Sequence, residues 1–425
     1  MTRVDSPDVR DAASVRARLN YLPGDVFPPL PAPSPPPKTL RLALAGCGVV
    51  GAALVRLLHE SSAAIEARHN VRFDIVRVLV RDAARDRALP LANHLFTDDL
   101  PTFLAEKADV VVEAIGGSDV AAAIARASLR AGRGFVTANK ELISGHAPEL
   151  STLASRSLAS LDFGAAVGGS APVIWLLRDL LGTSSPKSVR GILNGTSNFI
   201  LTRLERGSTF EAALASARAK GLAEADCSRD LDGRDAAAKL AIVAWLAFGV
   251  APRGLVVRRI GLGGNPAALV RAAAALGARI RLIAECTDLG DGRICASVAP
   301  VAVSEHGTFA RTELEDNRLE VDLGWCAPLS VSGPGAGGAP TATALLGDLL
   351  SHSARANEFG ASRAGFTSAD DPREHRWLIV GGGEGVRVAT GTWEFIAALS
   401  EEIAATGASC SIARLDDAIA AEEAA

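Results

Sequence analysis

The sequence predicts an α/β protein: a Rossmann-type dinucleotide-binding domain, then an α+β substrate and dimerisation domain with a mixed sheet, then a small C-terminal α+β module. Three observations predict it. Short apolar runs alternate with helical stretches from Leu40 to Thr137, the pattern of a parallel sheet with right-handed crossovers. The turn after the first run reads Gly46-Cys47-Gly48-Val49-Val50-Gly51. After Ser170 the texture becomes helix-rich, with strands further apart, which marks a second domain.

Residues 1–38 read as an arm. Pro28, Pro29, Pro31, Pro33, Pro35, Pro36 and Pro37 remove amide donors and fix φ, so the stretch is expected to be extended and polyproline-like. The nucleotide domain is placed at 39–165. Its strands are Leu40–Ala45, Phe73–Val80, Asp109–Ile115 and Gly134–Thr137, and its helices include Val49–Leu58 and Val120–Ala131. The substrate domain takes 166–332, with strands near Val189–Leu193 and Ile294–Val301 and a glycine loop at Gly261–Asn265. The chain then returns to the first domain over 333–353, through the loop Gly333–Gly338 and a helix starting near Thr341. Polar residues 354–374 read as a linker. Residues 375–425 read as strand, strand, helix, strand: Arg376–Val380, Gly385–Ala389, Trp393–Thr406 and Ser409–Ala413.

A length of 425 residues exceeds one ordinary core, and 48% apolar residues supply two. The formal net charge of −4 provides no basic field for nucleic acid or an anionic membrane. No run of eighteen apolar residues appears, so a membrane span is not expected. Met1–Arg10 carries no apolar stretch of the kind a signal peptide needs. The cysteines form no C-x-x-C pair and the histidines no H-E-x-x-H, which favours reduced thiols in a cytoplasmic enzyme over a zinc site.

In G-x-G-x-x-G, Gly46 allows a tight turn, Gly48 lets a pyrophosphate approach the backbone, and Gly51 lets helix and strand pack closely. Val49 and Val50 open the helix, whose free amides and dipole favour phosphate. At the end of the second strand Val80 is followed by Arg81 and Asp82. An arginine suits a ribose 2′-phosphate and an acid suits the 2′-hydroxyl. Arg81 comes first, so NADP(H) is expected, with Asp82 keeping NAD open. Gly116, Gly117 and Ser118 end the Val110–Ile115 strand and face the ligand crevice.

Thr137-Ala138-Asn139-Lys140 ends the next strand, where a lysine suits a substrate carboxylate, a cofactor contact or a proton relay. Lys220-Gly221-Leu222-Ala223-Glu224-Ala225-Asp226 opens an acid-rich stretch that runs through Asp230, Asp232 and Asp235 to Lys239. Asp235 and Lys239 are four apart and share a helix face. That spacing serves an acid and base in a cleft or a surface ion pair equally well.

Six runs in order resemble the homoserine dehydrogenase family over residues 40–352. They are G-C-G-V-V-G at 46–51, V-T-A-N-K at 136–140, G-I-L-N-G-T-S-N-F-I at 191–200, K-G-L-A-E-A-D at 220–226, D-G-R-D-A-A-A-K-L at 232–240 and G-P-G-A-G-G-A-P-T-A at 333–342. The resemblance implies that Lys239 and Asp235 form the catalytic pair, joined by Lys140. It implies substrate contacts at Glu224, Asp230 and Lys140, and places the turn Asn194-Gly195-Thr196 and the loop at Gly335 near nicotinamide and substrate. The implied reaction is reversible hydride transfer between L-aspartate 4-semialdehyde and L-homoserine by a homodimer.

Two departures stand out. The family often binds sodium through a glutamate and the carbonyls of the following loop. Here Val167, Gly169 and Ala171 keep those carbonyls, but the glutamate position falls on Gly164. A hard cation is held most firmly by charged oxygen ligands, so sodium is expected to bind weakly or not at all. Many members also end in a regulatory ACT domain, and 375–425 is shorter than one. A reduced ACT-like unit, a dimer-stabilising module and a separate fold all remain open. So do two further functions: a paralogue acting on another small amino alcohol or aldehyde, and a non-catalytic NADP-binding regulator.

Overall fold

A strand buried on both faces reads as a continuous apolar run. β1 (Lys38–Ala45) is such a strand, with Leu40, Leu42, Ala43, Leu44 and Ala45 all buried. In the computed structural model, which describes residues 36–180, 186–354, 366–381, 385–406, 409–416 and 419, it lies at the centre of a six-stranded parallel sheet. The expected proline arm lies almost wholly outside the described residues. The sheet order is β3-β2-β1-β4-β5-β6, with β2 Val71–Leu79, β3 Phe96–Thr97, β4 Val110–Glu113, β5 Gly134–Thr137 and β6 Leu161–Asp162. This is the doubly wound dinucleotide order, whose ligand crevice opens at the carboxyl ends of the strands. Helices α1 (Val49–Glu60), α2 (Asp119–Arg130) and α3 (Lys140–Arg156) follow β1, β4 and β5.

Among the described residues the second sheet has ten strands. β7 (Ser188–Ile192), β8 (Val257–Arg259), β9 (Ala278–Gly290), β10 (Arg293–Ser304), β11 (Asp316–Asp322) and β12 (Leu329–Pro334) form most of it. Of these, the sequence reading found β7 and the centre of β10. It missed β9 and the hairpin that joins them, although Asp291-Gly292 at the turn takes positive φ at both positions, 52° and 72°. Helices α4 (Gly195–Glu205), α5 (Ser228–Leu231) and α6 (Arg234–Phe248) belong to this half. Helix α7 (Gly338–Ala354) packs Ala342, Leu345 and Leu349 into the core of the first sheet beside Leu42, Leu44 and Leu54.

The C-terminal strands join the second sheet. β13 (Thr367–Ser368), inside the segment read as a linker, pairs with β10. β14 (His375–Gly381), β15 (Val386–Gly391) and β16 (Cys410–Leu415) extend the second sheet, because β16 lies parallel to β10 and antiparallel to β14. Helix α8 (Trp393–Ala405) covers them, with Trp377 and Trp393 edge to face at 5.0 Å. An ion cluster fastens this addition. Glu285 on β9 pairs with Arg414 on β16 and stands 3.4 Å from Arg190 on β7, which reaches Asp416 at 3.2 Å. Burial pushes Glu285 upward, but the two guanidiniums outweigh it and hold the carboxyl at about 2.

Removing one member of a buried ion cluster strands its partners without counter-charge. Glu285→Ala is therefore expected to lower stability by about 3 kcal/mol in urea unfolding. An unchanged midpoint would show that the C-terminal strands are not held by this cluster.

Candidate active site

Close backbone approaches build the nucleotide end. Gly46 sits at φ +98°, and a Cβ there would stand 2.6 Å from the Ala114 carbonyl oxygen. A Cβ on Gly51 would overlap the Gly46 carbonyl. Around Gly48, in contrast, a Cβ would meet nothing within 4 Å, and Val49 is 78% exposed beside it. A tight floor and an open front at a helix N-terminus fit a dinucleotide pyrophosphate. Gly116 and Gly117 both have positive φ and open space where a side chain would stand, and Ser118 begins α2. Arg81 is exposed and bonds to nothing among the described residues. Asp82 turns its carboxylate back on its own loop and accepts from the amides of Ala84 and Arg85 at 3.0 and 3.1 Å.

The chemistry-bearing groups converge where the two sheets meet. Asp235, in the first turn of α6, is buried. Its Oδ2 lies 2.9 Å from Lys239 Nζ, one helical turn on. Its Oδ1 lies 3.0 Å from Lys140 Nζ, at the start of α3 on the other half of the molecule. Lys239 also donates to the Leu193 carbonyl at 2.8 Å. Asn194 caps α4 through its Oδ1 and donates from Nδ2 to Asp235 at 2.9 Å and to Asp230 at 2.7 Å. Burial by itself would raise the Asp235 carboxyl, but Lys239 and Lys140 hold it well below the usual carboxylate range. Asp230 is pushed up by burial and by Asp235, against the pull of Asn194. The surface ion pair that spacing alone allowed is thereby ruled out, since the side chains of Lys239 and Asp235 are only 13% and 9% exposed.

Gly195 and Gly335 meet over one residue. A Cβ on Gly195 would come 2.6 Å from the Glu315 carbonyl oxygen, which also accepts from the Gly335 amide at 3.1 Å. Thr196 donates from Oγ1 to the Leu222 carbonyl at 2.7 Å and so ties the 220–227 loop to α4. Glu224 on that loop is exposed and makes no side-chain bond to Lys239, Asp235 or Lys140. The cluster forms without it.

The Gly164 neighbourhood does not fit the sodium arrangement. A Cβ there would stand 2.5 Å from Asp348 Oδ1 and 2.9 Å from Trp175 Nε1, so no longer side chain fits. The Ala171 carbonyl already accepts from the Val173 amide at 2.7 Å. Asp348 accepts from Trp175 Nε1 at 2.8 Å, and burial with nearby Asp162 pushes its carboxyl up to about 7. Val167, Gly169 and Ala171 are buried, and Gly169 packs on Pro334 and Gly335.

Three groups were missed or undervalued in the sequence. Asn194 and Asn139 each precede a helix as an N-cap, a signal legible in N-G-T and N-K. Glu113 ends an apolar strand and gave no signal. It is fully buried and accepts from the Thr137 hydroxyl at 2.5 Å and the Ile115 amide at 2.8 Å.

Comparison with known proteins agrees with this geometry. A family profile described as homoserine dehydrogenase matches residues 172–350, and one described as homoserine dehydrogenase, NAD binding domain, matches 46–163. The chain is 36% identical over 321 residues to a homoserine dehydrogenase of Corynebacterium glutamicum, covering 74% of this chain and 72% of that one. It is 33% identical to one of Neisseria gonorrhoeae, with the same coverage. A crystal structure of a homoserine dehydrogenase from Thiobacillus denitrificans superposes with a TM-score of 0.76 at 27% identity, covering 89% of this chain and 98% of that one. A Rossmann crevice, a buried lysine–aspartate pair at its mouth and these likenesses converge: the chain belongs to the homoserine dehydrogenase family of oxidoreductases.

Proposed function

We propose that the chain interconverts L-aspartate 4-semialdehyde and L-homoserine with NADP(H), through Lys239. The observation that carries this reading is the anchoring of Lys239. An ammonium has three N–H donors. Two are taken by Asp235 and the Leu193 carbonyl, which leaves one for a ligand oxygen at the junction of the two halves. A nicotinamide cofactor held by the glycine loop would supply or accept the hydride at the substrate's aldehyde or alcohol carbon. Lys239 stabilises the negative charge that grows on the aldehyde oxygen and supplies its proton, directly or through water. Asp235 aims Lys239. In this reading Glu224 and Asp230 take the substrate ammonium and Lys140 its carboxylate; the Asp230 carboxyl, tied to Asn194 beside Asp235, supports the part given to Asp230. Gly195, Thr196 and Gly335 shape the wall between substrate and nicotinamide. Gly46, Gly48, Val49, Val50 and Gly51 hold the pyrophosphate, while Gly116, Gly117, Ser118 and Lys140 border the ribose and nicotinamide.

NADP(H) is favoured over NAD because Arg81 is unengaged while the Asp82 carboxylate is spent on its own loop. Sodium is dispensable in this reading, given the crowding at Gly164. A cytoplasmic homodimer accords with the family resemblance, and no described helix is long and apolar enough to cross a membrane.

Following absorbance at the NADPH band with L-homoserine and a panel of other amino alcohols tests the substrate, and turnover confined to another alcohol would overturn it. Lys239→Ala is expected to lower kcat roughly 10²- to 10³-fold while NADP(H) affinity stays near the wild-type value. A wild-type rate in that variant would remove Lys239 from the mechanism. Arg81→Ala is expected to raise the KM for NADPH about tenfold and leave that for NADH nearly unchanged, the size of one lost charged hydrogen bond. Parallel loss for both cofactors would contradict the role of Arg81.

A further inference from the structure

Glu113 is a buried acid that the proposed chemistry does not use. It lies at the carboxyl end of β4, directly before the two left-handed glycines at 116 and 117. Its Oε1 accepts from the Ile115 amide at 2.8 Å and the Gly116 amide at 3.3 Å, with Asn139 Nδ2 at 3.5 Å. Its Oε2 accepts from the Thr137 hydroxyl at 2.5 Å. That hydroxyl in turn accepts from the Asn139 amide at 2.9 Å, so its own hydrogen is directed to Glu113. Every partner of the carboxyl is therefore a donor, which favours the carboxylate, while burial opposes it and pushes the group above its ordinary range. Asn139 continues the chain of contacts. It donates from Nδ2 to the Gly117 carbonyl at 2.6 Å and caps α3 by accepting from the Leu142 amide at 3.0 Å. Lys140 is the next residue, and its ammonium stands 3.0 Å from Asp235.

We propose that Glu113 is a positioning residue, whose carboxylate ties the loop 115–118 to the Thr137–Asn139 turn and thereby sets Lys140 against Asp235. The open outer side of Gly116 and Gly117 is left for the cofactor, and the inner side is held by this carboxylate together with the Asn139 amide group. The loop that borders the dinucleotide and the lysine that meets the substrate then share a single anchor. The proposal rests on the roles given above to Lys140 and to loop 115–118.

Glu113→Gln keeps the shape but replaces one acceptor oxygen with a donor, so either Thr137 or the loop amides lose their partner. The variant is examined in the wild-type and Lys140→Ala backgrounds. Cofactor affinity is read by NADPH fluorescence titration, and kcat with L-homoserine at saturating NADP. The expected result is a cofactor Kd about tenfold weaker, the scale of one hydrogen bond to a charged group. A kcat loss of about tenfold is expected in the wild-type background and less than about twofold with Lys140 already removed. Equal kcat losses in both backgrounds, or a Kd and kcat like wild type, would overturn the proposal. Thr137→Val, which removes the donor to Oε2 and the acceptor of the Asn139 amide while leaving Glu113 in place, serves as the second variant if Glu113→Gln does not fold. Absence of L-homoserine turnover in the wild-type protein would sink the substrate reading instead, and the cofactor Kd would still test the hold of Glu113 on the loop.

Discussion

The Asp235 carboxylate carries more of this structure than any other single group. One oxygen meets Lys239 on its own helix, and the other meets Lys140 from the dinucleotide-binding half. A carboxylate removed from water is costly unless it is paired and hydrogen-bonded. Here two ammonium groups and the Asn194 amide provide the compensation. The arrangement therefore fixes three things together: the charge state of Asp235, the direction of Lys239, and the distance between the two halves at the crevice.

Backbone geometry serves the same junction. Gly195 and Gly335 both lean on the Glu315 carbonyl, and Gly169 packs on Pro334 and Gly335. Side chains at these positions would push Gly169 off Pro334 and Gly335, Gly195 off Glu315, and Gly335 off Asn317. The Asn194 cap adds direction, since one side chain starts α4 and reaches both Asp230 and Asp235. Asn139 repeats the device on the dinucleotide side, where it starts α3 at Lys140. Asn139 thus starts the helix that carries Lys140, and Asn194 reaches from the start of α4 to the Asp235 that Lys140 faces.

The nucleotide half was the more legible in sequence. Its strands are buried on both faces and read as continuous apolar runs, and β5 falls at Gly134–Thr137 as expected. The glycine spacing at 46–51 states its own geometry, because Gly46 and Gly51 answer close backbone approaches and Gly48 leaves the front open. The second sheet was less legible. Apolar runs in β9 and β10 have no helices between them, and β11 alternates buried and half-buried residues in a short stretch. The Asp291-Gly292 turn was the available signal. The C-terminal strands read correctly as elements, but their place in the sheet depends on Glu285, Arg190 and Arg414, which are far apart in sequence. Spacing alone left Asp235 and Lys239 open between surface and cleft, and only tertiary burial decides that. Glu113 was invisible because a lone acid at a strand end carries no pattern.

The central claim is that Asp235 remains ionised because two ammonium groups hold it. A carbon-13 NMR titration of labelled aspartate carboxyls, with the Asp235 signal assigned by Asp235→Asn, measures this directly. The account predicts that the Asp235 signal shows no protonation step down to the lowest pH at which the protein stays folded. A midpoint near the ordinary aspartate value of about 4 would contradict it.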